Sequence, residues 1–176
     1  MVRRLLMAAT VLLVLGSIVE AGEPWEFRVG DWTGGAFTEA SGEFTHCSAH
    51  TRGHGEPGVL FAIDRNFLWS IGIINLAWHM TVDAPYDVSL TIDGEATVSV
   101  KGVALEREHL EIDLDGKDAL FARIRRGRQL TVIAANEVLT LKLFDSSQIL
   151  PKLLDCASTA MSSKRAPFVA PPSLKP

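Results

Sequence analysis

Between Tyr86 and Lys101 the chain reads YDVSLTIDGEATVSVK. Tyr86, Val88, Leu90 and Ile92 alternate with Asp87, Ser89 and Thr91, and Ala96, Val98 and Val100 alternate with Thr97, Ser99 and Lys101. A period of two sends one set to each side of an extended strand. Asp93-Gly94 between the two runs supplies residue types that tolerate positive φ, so the segment predicts a hairpin. One hairpin cannot bury its own apolar face in water, and the chain must therefore build a larger sheet around it.

Further strands follow from the same reasoning. Val59 to Ile63 and Phe67 to Ile74 flank Asp64-Arg65-Asn66 and read as a second hairpin. Its second arm places Phe67, Trp69, Ile71 and Ile73 on one face, opposite Leu68, Ser70 and Gly72. Both faces are apolar enough for a central strand, with the Trp69 ring expected between layers. Trp25 to Phe37 predicts short strands broken by glycine turns. Phe44 to Ser48 reads as a strand carrying Cys47 inward, Leu110 and Ile112 as a short strand, and Leu130 to Ala134 and Val138 to Phe144 as two more. Trp78 and Met80 continue the core.

Helical signals are fewer. Lys117 to Arg126 has Leu120, Phe121 and Ile124 as its apolar stripe, and Gly127 is placed to stop it. The preceding DLDGKD, Asp113 to Asp118, lacks the calcium-loop order and reads as a turn and helix cap. Asp145-Ser146-Ser147 precedes a second helix, from about Gln148 to Cys156, with Pro151 in its first turn and Leu150, Leu153 and Leu154 docking it. The expected fold is mostly β (α+β), an antiparallel β-sandwich-like domain with one mid-chain helix and a C-terminal helix.

The N-terminus belongs to a different class of segment. Arg3 and Arg4 precede an apolar run from Leu5 to Val19 that ends at Val19-Glu20-Ala21. A basic start, a short apolar stretch and small residues are the pattern of a signal peptide, and the run is shorter than the ~20 residues of a membrane span. Residues 1–21 are therefore expected to be cleaved, residues 22–160 to form a single β-rich domain, and the Pro-rich residues 161–176 to form a disordered tail. The product is periplasmic or secreted, without a stable membrane anchor.

Export explains the cysteines. Cys47 and Cys156 are the only two, and an oxidising compartment makes one disulfide between them the economical reading. The formal net charge of -4 argues against nucleic acid as a partner. Arg123, Arg125, Arg126 and Arg128 form the one basic cluster and read as a solvated face at a helix C-terminus.

Candidate chemistry is confined to one stretch. His46, His50 and His54 recur every four residues, with the first two on one strand face and the third in a glycine-rich loop. Imidazoles so placed suit Zn²⁺ or Cu²⁺, although the recognised zinc spacings are absent. A second alternative is a hydrolase in which Ser48 or Ser70 meets His46, His50 or His79 and an aspartate in space, since such sites are geometric rather than sequential. No G-x-S-x-G, H-E-x-x-H or phosphate-loop motif is present.

Taken together, WTGGAF, FTHCSA, FLWSIG, TIDG and LKLFDSSQILPKLLDC in an exported chain resemble small alphaproteobacterial periplasmic proteins, and most nearly the invasion-associated locus B family. Proteins of that family carry more cysteines, whereas this chain has two. The resemblance implies a β-sandwich-like periplasmic domain without catalytic residues. The expectation is an exported, non-catalytic binding or interaction module without a cofactor, whose partner is an envelope or extracellular protein or a small ligand.

Overall fold

The computed structural model describes residues 26–51 and 57–162. Ten strands form one open antiparallel sheet, and two helices accompany it. The strands are β1 (Phe27–Val29), β2 (Trp32–Thr38), β3 (Phe44–Thr51), β4 (Gly58–Asp64), β5 (Trp69–Ile74), β6 (Pro85–Ile92), β7 (Val98–Glu106), β8 (His109–Asp113), β9 (Gln129–Ala134) and β10 (Glu137–Lys142). Their order across the sheet is β1-β2-β3-β4-β5-β8-β7-β6-β9-β10. Helix α1 (Asp118–Arg126) falls between β8 and β9, and α2 (Ser146–Ser162) ends the described chain. No described helix is long and apolar enough to cross a membrane.

The two predicted hairpins pair as expected. Leu90 faces Val98 across β6 and β7, and Ile63 faces Trp69 across β4 and β5. Both residues of the Asp93-Gly94 turn have positive φ. The chain order breaks once: β6 and β7 are made before β8, yet β8 inserts beside β5. That placement makes β5 a central strand, paired on both sides.

One face of the sheet is the core. Cys47, Ala49, Phe61, Ile63, Ile71, Ile73, Leu110, Ile112, Leu90 and Val132 all point into it and are buried. A single sheet produces the two layers because its ends curl toward each other. Trp32 Nε1 of β2 donates to the carbonyl of Phe144, just past β10, at 2.6 Å. At the opposite end of β10, Asn75 Nδ2 donates to Glu137 Oε2 at 2.9 Å. Helix α2 fills the mouth of the curl against β2, β3 and β4. The Cys47–Cys156 disulfide fastens it there, with the two Cα atoms 6.2 Å apart.

Three local details differ from the sequence expectation. Helix α2 begins at Ser146, which turns Ile149 rather than Leu154 into the sheet and puts Pro151 beyond the first turn. Ser146 itself is buried, and its hydroxyl reaches the carbonyls of Ile124 and Arg125 at 3.2 and 3.1 Å. Those carbonyls lie in the last turn of α1, where the Ile124 carbonyl also accepts the N–H of Gly127 at 3.2 Å, so a residue expected to cap one helix instead bonds to the end of the other. Finally, Phe67 lies in the β4–β5 loop at positive φ, and Trp69 starts β5 half-buried, with Phe121 of α1 tilted against its ring at 5.0 Å.

Candidate functional site

The face of the sheet away from the core is built from the other half of each alternation. On β3 it carries His46, Ser48 and His50, because Cys47 and Ala49 take the core side. Antiparallel register then aligns Gly35 of β2, Ser48 of β3, Ala62 of β4 and Ser70 of β5 in one row, ending at Asp113 of β8. These side chains are small, so the row is the floor of a shallow trough running across the strands. One neighbouring row is Phe37, His46 and Asp64; the other is Thr33, His50, Leu60, Gly72 and Glu111.

Ser48 is the most enclosed polar group of the floor, at 4% exposure. The buried side-chain atoms without a hydrogen-bond partner among the described residues are Thr38 Oγ1, Trp78 Nε1 and His109 Nε2, and the Ser48 hydroxyl is not one of them. A hydroxyl on this floor offers one donor and an acceptor oxygen to something laid there. Cys47 precedes it and is disulfide-bonded from the core side, which fixes the floor strand against α2.

His46 forms one wall. Its ring stacks on Phe37 with centroids 4.8 Å apart and planes 4° from parallel. Thr45 Oγ1 donates its one proton to the Phe37 carbonyl at 3.0 Å. The 3.0 Å contact between Thr45 Oγ1 and His46 Nδ1 is therefore donated by the imidazole, which leaves Nε2 with a free lone pair. Burial lowers the His46 pKa from its ordinary value of 6.5, against the opposing charges of Glu111 and Asp64.

The far end holds a second imidazole that the sequence reading did not single out. His109 of β8 leans over Gly72, where a Cβ would come within 2.5 Å of its Nε2. That nitrogen is buried and has no hydrogen-bond partner. Burial lowers its pKa also, opposed by Glu111 and Glu106. The charge of Glu111 thus opposes the lowering at both rings. Asp64 is occupied elsewhere, since its carboxylate accepts from the backbone N–H groups of Asn66 and Leu68 at 2.7 and 2.9 Å and holds the β4–β5 loop.

The remaining candidates are dispersed. His50 shares the face with His46, as the four-residue spacing requires, while His54 lies outside the described residues. Among the described residues no group of three His, Cys, Asp or Glu side chains is arranged to hold a metal ion. His79 is exposed on the β5–β6 connection, with Nδ1 3.3 Å from Arg107. In the basic cluster Arg123 pairs with Glu95 at 3.0 Å, and Arg125, Arg126 and Arg128 are largely solvated.

The class of molecule is thus a mostly β domain: a curled, open antiparallel sheet with a C-terminal helix fastened into its mouth by a disulfide. No protein-family model and no curated protein sequence matches the chain. Among solved structures it is similar to the crystal structure of invasion associated protein B from Bartonella henselae, with a TM-score of 0.55 and 16% identity. The match covers 76% of this chain and 97% of that one. At this identity the likeness is one of fold, and it agrees with the family resemblance read from the sequence motifs.

Proposed function

We propose that this chain is an exported, non-catalytic binding module that holds a polar ligand across the trough floored by Gly35, Ser48, Ala62 and Ser70. The observation that carries the reading is the row of small side chains around the enclosed Ser48, on a strand anchored from behind by the Cys47–Cys156 disulfide. Preorganised groups bind with less ordering cost. A disulfide suits a periplasmic or secreted site of action, as does the signal-peptide pattern of residues 1–21. The non-catalytic reading rests on the chemistry of the walls: His46 gives its Nδ1–H to Thr45, so no imidazole–carboxylate pair orients it as a base toward a serine.

The test is an amide-resolved NMR titration of the mature protein with fractionated periplasmic extract. Shifts should concentrate at Gly35, Ser48, Ala62 and Ser70 and vanish in Ser48→Phe, whose ring would fill the floor. Perturbations confined to other strands, or equal in the variant, would overturn this assignment.

A further inference from the structure

The two edges of the sheet are unlike. β1 has three residues, whereas β10 has six, is charged only at its ends, Glu137 and Lys142, and carries neither a proline nor a bulge. Natural sheets commonly blunt a long edge by such devices, because unpaired N–H and C=O groups recruit another strand. β10 is also tied at both ends, by Asn75 on Glu137 and by Trp32 on the carbonyl of Phe144.

The register says which groups are open. Ala135-Asn136 is a two-residue turn with both residues at positive φ, and it is flanked by the pair Ala134 and Glu137. In a hairpin of this kind the flanking pair exchanges both backbone hydrogen bonds, and bonded pairs alternate from there. Glu137, Leu139 and Leu141 therefore turn their backbone groups toward β9. Val138, Thr140 and Lys142 turn theirs to the free edge, where no described strand pairs with them. Val138 is 66% exposed and its cross-strand neighbour Ile133 47%.

On the outer face a row of threonines runs to this edge. Thr91 pairs with Thr131, Thr131 with Thr140, and Thr91 Oγ1 meets Thr97 Oγ1 at 2.8 Å. An antiparallel second strand can engage all three open residues when residue numbers on the two strands match 138 with 142, 140 with 140 and 142 with 138. That arrangement maps onto itself under a two-fold axis, so β10 of another copy satisfies it. Thr140 then meets its counterpart, the threonine row continues unbroken into the second molecule, and each Lys142 lays its aliphatic stem on the exposed Val138 opposite instead of facing another lysine.

We propose that two copies of this chain join through β10, antiparallel, about a two-fold axis at Thr140. The full mature chain should sediment as a concentration-dependent dimer. Thr140→Pro removes an edge N–H that β9 does not use, so its melting temperature should hold while the dimer's dissociation constant rises by about tenfold or more. Paired residues at such a position lie about 5.5 Å apart at Cα, within reach of a disulfide. Mild oxidation of Thr140→Cys should therefore give a covalent dimer, and Val138→Cys, displaced from its own copy, should not. A monomer at every concentration, an equal yield from both cysteine variants, or a dimer untouched by a folded Thr140→Pro would overturn the proposal. Protection of the β10 amides only upon adding an unrelated extended peptide would do so too, and would give the edge to a different partner.

Discussion

The imidazole of His109 occupies the space above Gly72 that any side chain at that position would need: a Cβ there would lie 2.5 Å from Nε2 and 3.4 Å from the Leu60 Cβ. The obstacle is the end of one side chain, so the cheaper response to Gly72→Ala is for the ring to swing toward water. The expected cost is about 1 kcal/mol, the lower end of what overpacking brings. Once its burial is relieved, the His109 titration should move up toward the ordinary imidazole value. NMR titration of the ring measures this directly, and an unchanged His109 titration in a folded Gly72→Ala protein would contradict the packing described.

Cys47 and Cys156 close most of the domain into one loop. On the chain-entropy account a loop of ~100 residues is stabilised by roughly 4 to 5 kcal/mol, a large share of an ordinary domain's stability. Replacing both cysteines by alanine should lower the melting temperature sharply and loosen the strand that carries Ser48. Non-reducing peptide mapping should recover the linked pair. Two alkylatable thiols in freshly isolated native protein would remove the basis of this prediction.

Trp32 and Trp69 should separate in the same assay. Trp32 is 1% exposed, stacks on Phe61 at 5.1 Å and donates to the Phe144 carbonyl, so Trp32→Ala loses a full core ring and one tie across the curl, about 3 to 5 kcal/mol. Trp69 is half-buried under Phe121, and Trp69→Ala should cost roughly half as much. Chemical denaturation of the two variants gives the order, and a larger loss for Trp69 would reverse the assignment of core and rim.

Local pattern carried most of the strands, because alternation such as Tyr86 to Ile92 is a direct consequence of burying one face. It carried less where backbone conformation departs from side-chain preference. Phe67 is apolar and extends the Trp69 face in sequence, yet Asp64 wraps the loop around its carboxylate and sends Phe67 into positive φ. Ala135-Asn136 makes a tight turn with an alanine where glycine would be the usual signal. Helix α2 was legible as a helix, but a start two residues early exchanges Ile149 for Leu154 on its buried side. For the site, the spacing of His46 and His50 gave a common face. The common influence of Glu111 on the His46 and His109 rings was not legible, because it depends on β8 pairing with β5 across the intervening β6 and β7 segments.

That pair of imidazoles gives the protein a pH dependence of defined sign. Burial places the folded-state pKa of His46 and of His109 below their ordinary value of 6.5, with Glu111 opposing at both, Asp64 at His46 and Glu106 at His109. The unfolded chain therefore binds protons first as pH falls, and protons bound preferentially by the unfolded state draw the equilibrium toward it. Stability from these two groups is complete above about 6.5 and is lost as pH drops through that value toward the lower folded-state values; below those it changes no further. Melting followed from about pH 8 to about pH 5 should fall over the lower half of that range, and the fall should be shallower in His46→Phe and in His109→Gln, which remove the titrating rings. A melting temperature that rises on acidification through this window, or a slope unaltered in both variants, would mean that the imidazoles titrate as solvated groups.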